Sequence, residues 1–251
     1  VYPLPNYVSS LAHFAGVSFI DSFKLNMIVA TITGAIFFYL WAKKYWGEIG
    51  GLVSSTFYSF SPYHLLDVYV RGSVGEVWSL GLAPALLWAY LSFNESRKKT
   101  FFILSAVFLA LLILAHNILA LIFFTFFLMY ACFLIFSNNS NKFKSRTVSE
   151  LVMIILIALG LSAPFWLPAL FETNYVRGLQ VFDPTAHFPK LYKLIYSSWG
   201  YGLSGNNVTD QMSFQIGIAN LLTLGFSIAS LFFVKNKSTI LFFITILAFT
   251  I

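Results

Sequence analysis

The sequence predicts an all-α polytopic membrane protein: one transmembrane domain over residues 1–251, with about eight helices. Three observations carry that prediction. Hydrophobic residues make up 59% of the chain, charged residues 10%, and the mean hydropathy is +0.80, more apolar than a soluble domain with a polar surface allows. Apolar runs recur along the chain, and several reach membrane length. The basic residues gather in short clusters between those runs, the pattern of positive-inside sorting. The net charge of +6 comes largely from these clusters, so the partner it implies is the lipid bilayer and not nucleic acid.

In chain order, residues 1–24 form an outer segment, in which 8–20 are apolar enough for an interfacial helix or a short extra crossing. Apolar runs follow at about 25–42, 49–60, 77–93, 101–115, 118–136, 149–170, 212–234 and from 239 onward. The 36 residues Phe101–Phe136 would reach roughly 54 Å as one helix, far beyond a bilayer core. Two crossings joined at His116-Asn117 resolve this, with Asn117 as the expected cap of the second. Lys43/Lys44, Arg97/Lys98/Lys99, Lys142/Lys144/Arg146 and Lys235/Lys237 hold ten of the fifteen basic residues and occupy every second connection. The inner loops are therefore about 43–48, 94–100, 137–148 and 235–238, and the outer ones about 1–24, 61–76 and 171–211. The last run stops at Ile251 before it spans about 30 Å, and Val1 opens without a Met or a basic signal region, so a fragment of a longer protein is expected.

Local punctuation refines the picture. Trp41, Tyr45 and Trp46 on the inner side, and Tyr63, Tyr69, Trp166 and Trp199 on the outer, read as interfacial aromatic belts. Pro84, Pro164 and Pro168 should kink or break helices in the outer half and could open a cavity. Cys132, the single cysteine, excludes an internal disulfide and reads as a packing residue.

Reactive side chains concentrate on the outer side, above all in Ser61–Glu76, SPYHLLDVYVRGSVGE. Ser61 as a cap, Pro62 at the first helical position and Gly72 as a left-handed stop predict a short interfacial helix at about 62–71. His64, Asp67 and Arg71, spaced i, i+3, i+7, would then share one narrow face. Asp67 and Arg71 also fit a plain i, i+4 surface pair, although charge at an apolar interface points toward function. Glu76 closes the S-x-x-E capping box Ser73-Val74-Gly75-Glu76. His116 is read either as satisfying the backbone of its turn or as a proton relay or phosphate contact. In the long outer loop, Arg177 and Lys190 are candidates for phosphate binding among a mostly solvated set of charges. Gly200–Gly205 matches G-x-G-x-x-G but has no βαβ unit around it, so it is read as a glycine-rich loop. No metal-ligand spacing occurs among His13, His64, His116 and His187.

Four blocks together resemble a known family. They are Tyr2-Pro3-Leu4-Pro5-Asn6-Tyr7, the run Phe60–Gly72 with Glu76, His116-Asn117, and Ala163-Pro164-Phe165-Trp166-Leu167-Pro168-Ala169-Leu170 with Glu172. The chain resembles the bacterial 6-pyruvoyl-tetrahydropterin synthase-related membrane proteins, which are similar to GT-C glycosyltransferases. The zinc chemistry in the family label has no histidine cluster here. The resemblance implies a GT-C-like fold in the plasma membrane, with its reactive face extracytoplasmic. It also implies sugar transfer from a polyprenyl-phosphate donor, with the main catalytic carboxylate in an outer loop upstream of Val1. Within it, Asp67 and Glu76 are the catalytic candidates, and His64, Arg71, His116 and Arg177 the substrate-binding ones. No cofactor is evident, and a divalent metal is implied by the resemblance only. A membrane transporter and a non-catalytic membrane scaffold subunit are the competing readings.

Overall fold

The computed structural model describes residues 2–137, 141–172, 175, 189–202, 212–233 and 239–244. The described residues are helical throughout their ordered elements: α1 (Pro3–Phe14), α2 (Phe19–Ser59), α3 (Pro62–Leu66), a π-helical turn (Asp67–Arg71), α4 (Val74–Ser96), α5 (Lys99–Ala115), α6 (Asn117–Phe136), α7 (Asn141–Phe171), α8 (Leu191–Ile195) and α9 (Ile218–Ser230).

Among them, α2, α4, α6 and the Ser145–Phe171 part of α7 are long and apolar enough to cross a membrane, and α5 and α9 are shorter apolar helices. Four long candidates are fewer than the eight expected crossings, and the difference has visible causes. The runs at 25–42 and 49–60 are limbs of one element, α2, broken at Gly47 with φ 71° and ψ −173°, a left-handed conformation that glycine alone adopts freely. The chain folds back there: Ser55 Oγ donates to Ala35 O at 2.7 Å, and Tyr58 stacks on Phe38 at 4.3 Å. The returning limb reaches only about 18 Å, short of a bilayer core. Residues 234–238 and 245–251, which include the whole of the last expected loop and part of the last run, lie outside the described residues.

Helix α4 is the centre of the bundle, packed on α2 and α5, with α5 in turn on α7. Its side chains are buried nearly end to end, Val77, Ala85, Ala89 and Tyr90 completely. Pro84 does not break it. Proline removes the N–H that would bond Leu80 O, and the Tyr58 hydroxyl donates to that carbonyl at 2.6 Å. The expected break is thus avoided by a bond supplied from α2.

The basic turns meet at one end of the bundle. Lys44 pairs with Glu95, Arg97 with Glu150, and Arg146 with Glu150 at 2.9 Å. The turn between α4 and α5 is tighter than the expected loop at 94–100, and α7 begins at Asn141, so the basic residues of 142–146 lie in helix and not in a loop. Trp41 is buried, and its Nε1 donates to the Tyr130 hydroxyl at 3.1 Å, which also bonds Tyr45 at 2.6 Å. It is a core residue, whereas Trp46 keeps 44% exposure.

At the opposite end, the apolar stretch 8–20 is divided between α1, which ends at Phe14, and α2, which begins at Phe19; a helix of 12 residues reaches about 18 Å, shorter than a bilayer core. Asn26, fully buried in α2, holds it in place. Its amide nitrogen donates to Pro5 O and Ser9 Oγ, each at 2.7 Å, and its carbonyl oxygen accepts Trp78 Nε1 at 2.6 Å. A buried amide satisfied on both sides fixes three helices in register. Tyr7, Leu11 and Phe14 stay exposed on the other face of α1, as suits a helix at a membrane interface.

Candidate functional site

The site forms at this same end, where α3 and the π turn enter α4. Pro62 opens α3 as expected, but Ser61, extended at φ −62° and ψ 143°, makes no capping bond through its hydroxyl. Helical hydrogen bonding then widens over Asp67–Arg71, and Gly72 at φ 60° and ψ 29° ends it. The expected single helix over 62–71 is therefore a turn of α-helix followed by a π turn, a local widening often found at functional sites.

Arg71 reaches Asp67, with Nη1 2.9 Å from Oδ1. His64 is buried instead, its ring edge-on to Tyr58 at 5.9 Å, and neither ring nitrogen has a hydrogen-bond partner. Burial lowers the His64 pKa, which favours the neutral imidazole.

Glu76, in the first turn of α4, completes the cluster. Arg71 grips it with both terminal nitrogens, Nη1 to Oε2 at 2.6 Å and Nη2 to Oε1 at 2.5 Å. The Tyr63 hydroxyl donates to Oε2 at 2.5 Å and Ser73 Oγ to Oε1 at 3.0 Å. The reciprocal capping box is not made, since Ser73 bonds the carboxylate and caps no backbone N–H with its side chain. Glu76 is thereby an ionic hub, held as a bidentate carboxylate. Within the cluster, the guanidinium occupies the space between the two carboxylates that a cation would take. Among the described residues no group of three or more His, Cys, Asp or Glu side chains could hold a metal.

Burial is uneven across the cluster. The Asp67 side chain is 0% exposed and Glu76 7%, while Arg71 is 36% exposed and reaches the surface. Two buried carboxylates share one guanidinium, so one negative charge is uncompensated. Asp67 bears the consequence: burial, reinforced by the charge of Glu76 and opposed by Arg71, pushes its pKa up to about 8. Its Oδ2 has no hydrogen-bond partner. Glu76 accepts four donated bonds, whereas Asp67 keeps an oxygen free and a pKa near neutrality, the properties of a proton-exchanging group.

His116 joins from the α5–α6 turn. Its Nε2 stands 3.9 Å from Glu76 Oε1, and its Nδ1 accepts the Leu119 N–H at 3.3 Å. His116, and not Asn117, is the cap of α6, so the backbone-satisfying reading of this histidine is realised together with its approach to the cluster. Burial lowers its pKa against the pull of Glu76. The approach depends on Gly75, where a Cβ would lie 2.6 Å from Ala115 O and 3.4 Å from the His116 ring. Tyr2 stacks on His116 at 4.4 Å and donates to Asn117 Oδ1 at 3.0 Å.

The structure thus brings together Asp67, Arg71, Glu76 and His116, and leaves His64 apart in the α2–α3 packing. Arg177 and His187 lie outside the described residues. Tyr63 and Tyr2 were not among the predicted site residues. Tyr63 reads from sequence as a belt aromatic, and its signals are its place in the charged block and in the family-like run Phe60–Gly72; Tyr2 belongs to the first of the family-like blocks.

Comparison with known proteins gives the cluster its context. A family model described as "6-pyruvoyl-tetrahydropterin synthase related domain; membrane protein" matches residues 1–251. A protein of Lactococcus lactis subsp. cremoris (strain MG1363), described as uncharacterized, is 24% identical over 173 residues, covering 67% of this chain and 28% of that protein. The chain therefore spans well under half the length of that relative. No solved structure matches. The match over the whole length, in a chain of apolar helices with a charged cluster at one end, makes this chain a member of the 6-pyruvoyl-tetrahydropterin synthase-related family of membrane proteins.

Proposed function

We propose that the protein transfers a sugar from a polyprenyl-phosphate donor to an acceptor hydroxyl at the extracytoplasmic face of the plasma membrane. The observation that carries this reading is the division of labour in the cluster, a saturated Glu76 beside a half-bonded Asp67 whose pKa lies near 8. The basic turns at the other end of the bundle support the outer assignment of this one.

In the proposed step the acceptor oxygen attacks the anomeric carbon, and the bond from that carbon to the phosphate oxygen breaks. Asp67 is fully buried, so the hydroxyl proton passes to its Oδ2 once Arg71 has moved aside and opened it, and polyprenyl phosphate leaves. Arg71 is the exposed member of the cluster and swings toward the incoming phosphate. A guanidinium there stabilises the leaving group. The same motion removes the counter-charge from Asp67 and makes it a stronger base. Glu76, fixed by Tyr63 and Ser73, orients the acceptor and returns Arg71 after release.

The test is incubation of the full-length protein in vesicles with labelled polyprenyl-phosphate sugars, followed by detection of label on a new product. Product formed by the wild type and lost in Asp67→Asn supports the reading. Absence of product across the common donor sugars, with the protein folded, overturns it.

A further inference from the structure

Among the described residues, the buried side-chain nitrogen and oxygen atoms without a hydrogen-bond partner gather in two stretches of the chain, 59–67 and 90–94. The first holds Ser59 Oγ, both ring nitrogens of His64 and Asp67 Oδ2, where α2 gives way to α3 and the π turn. Buried polar groups are costly to leave unpaired. Three such side chains at one junction therefore point to a bound polar group that they share.

His64 makes no hydrogen bond to the cluster, yet helical spacing sets it beside Asp67. The two stand i, i+3 across the step from α3 into the π turn, a spacing that puts side chains on one face with Cβ atoms about 5–6 Å apart. Both are buried essentially completely, and neither bonds the other, so one small bridging group would satisfy both. The Tyr58 carbonyl draws the His64 pKa up against burial. The neutral ring therefore turns its one N–H toward that oxygen and keeps its second nitrogen as an acceptor. Arg71 already lies against Asp67, and its positive charge disfavours a second cation there.

We propose that one buried water joins His64 to Asp67 and makes His64 the positioning residue for the free oxygen of that carboxylate. The water donates one hydrogen to the acceptor nitrogen of His64 and the other to Oδ2 of ionised Asp67, and the Ser59 hydroxyl donates to the water. Three bonds are the usual complement of a buried water. A carboxylate oxygen has two acceptor sites, so Oδ2 keeps one for the proton of an incoming hydroxyl. When Asp67 is protonated its O–H donates to the water, which still donates to His64. The bridge thus serves both protonation states and favours the ionised one, which accepts the extra bond.

The test is infrared titration of the full-length protein in vesicles, with isotopically carboxyl-labelled aspartate. The C=O band of protonated Asp67 is the one missing from Asp67→Asn, and its loss with rising pH gives the midpoint. His64→Leu should raise that midpoint by about one pH unit and move the band to higher frequency. His64→Gln, whose carboxamide holds a water, should return most of both shifts. Ser59→Ala should move the midpoint the same way by less, and it reads the bridge even where His64→Leu does not fold. Tyr63, Arg71 and Glu76 around Asp67, Tyr58 beside His64 and His116 beside Glu76 stay in place in every variant. A midpoint and band unchanged in His64→Leu or Ser59→Ala overturn the proposal. So does a His64→Gln protein shifted as far as His64→Leu, or a wild-type midpoint that follows sodium at constant ionic strength, which would put a cation in place of the water. The catalytic meaning of the bridge rests on the transfer reading, but the spectrum needs no turnover. A bridge without sugar transfer keeps the water site and rejects the transferase; transfer without a bridge does the reverse.

Discussion

Replacing Arg71 by Met should expose how much the cluster depends on one guanidinium. The substitution keeps the length of the aliphatic stem but removes three bonds of 2.5–2.9 Å to two carboxylates that are 0% and 7% exposed. Breaking a buried ion pair by removing one partner costs about 3–5 kcal/mol, because the remaining charge is left desolvated. Arg71 itself is 36% exposed, so water reaches part of the site and a loss of about 2–4 kcal/mol is expected. The destabilisation comes from stranded charge and not from lost packing, so neutralising the carboxylates should reverse most of it. The triple variant Asp67→Asn/Arg71→Met/Glu76→Gln should recover all but about 1 kcal/mol. Unfolding of the full-length protein in mixed micelles of mild detergent and SDS measures both quantities. A single variant within about 0.5 kcal/mol of wild type, or a triple variant no more stable than the single one, would refute the reasoning.

Three further outcomes follow from neighbouring contacts. Gly75→Ala should destabilise by about 1–3 kcal/mol and separate His116 from Glu76, because its Cβ would meet Ala115 O at 2.6 Å; unfolding midpoints check the first and a distance probe across the α4 and α6 ends the second. Tyr58→Phe should cost about 1–3 kcal/mol by stranding the Leu80 carbonyl, and adding Pro84→Ala, which supplies an N–H to that carbonyl, should recover part of the loss in the same unfolding assay. For Asp67, whose pKa rises from 3.8 to about 8 on folding, the folded state holds a proton that the unfolded state has released between those values. Its contribution is therefore present in full below the lower value and lost as pH rises through about 8. Stability should fall with pH across that window in the wild type and much less in Asp67→Asn, while transfer, which needs the ionised form, should rise toward pH 8.

Much of this was legible in the sequence. Composition alone required a membrane protein, and the alternation of basic clusters put the Lys43/Lys44, Arg97 and Arg146 turns on one side, where the structure brings Lys44 to Glu95 and Arg97 to Glu150. His116-Asn117 as the join between two helices and Gly72 as a helix stop both followed from local chemistry. The inner loop read at about 43–48 coincides with the reversal at Gly47. Two features were not legible, each for a physical reason. The π turn at Asp67–Arg71 has no signal in spacing arithmetic, which assumes α-helical register throughout. The capping-box pattern at Ser73–Glu76 was present, but a guanidinium five residues before Glu76 outcompetes a backbone N–H for its carboxylate.

The most direct measurement of the central claim is the rate of sugar transfer from labelled polyprenyl phosphate sugar as a function of pH, in wild type, Asp67→Asn and Tyr63→Phe. The account predicts a wild-type rate that climbs to a plateau above pH about 8. It predicts loss of transfer by about 100-fold or more in Asp67→Asn. Tyr63→Phe, which leaves Asp67 in place but removes one of the four bonds to Glu76, should retain transfer with a raised acceptor KM. A folded Asp67→Asn protein that transfers sugar at the wild-type rate with the same pH profile would contradict it.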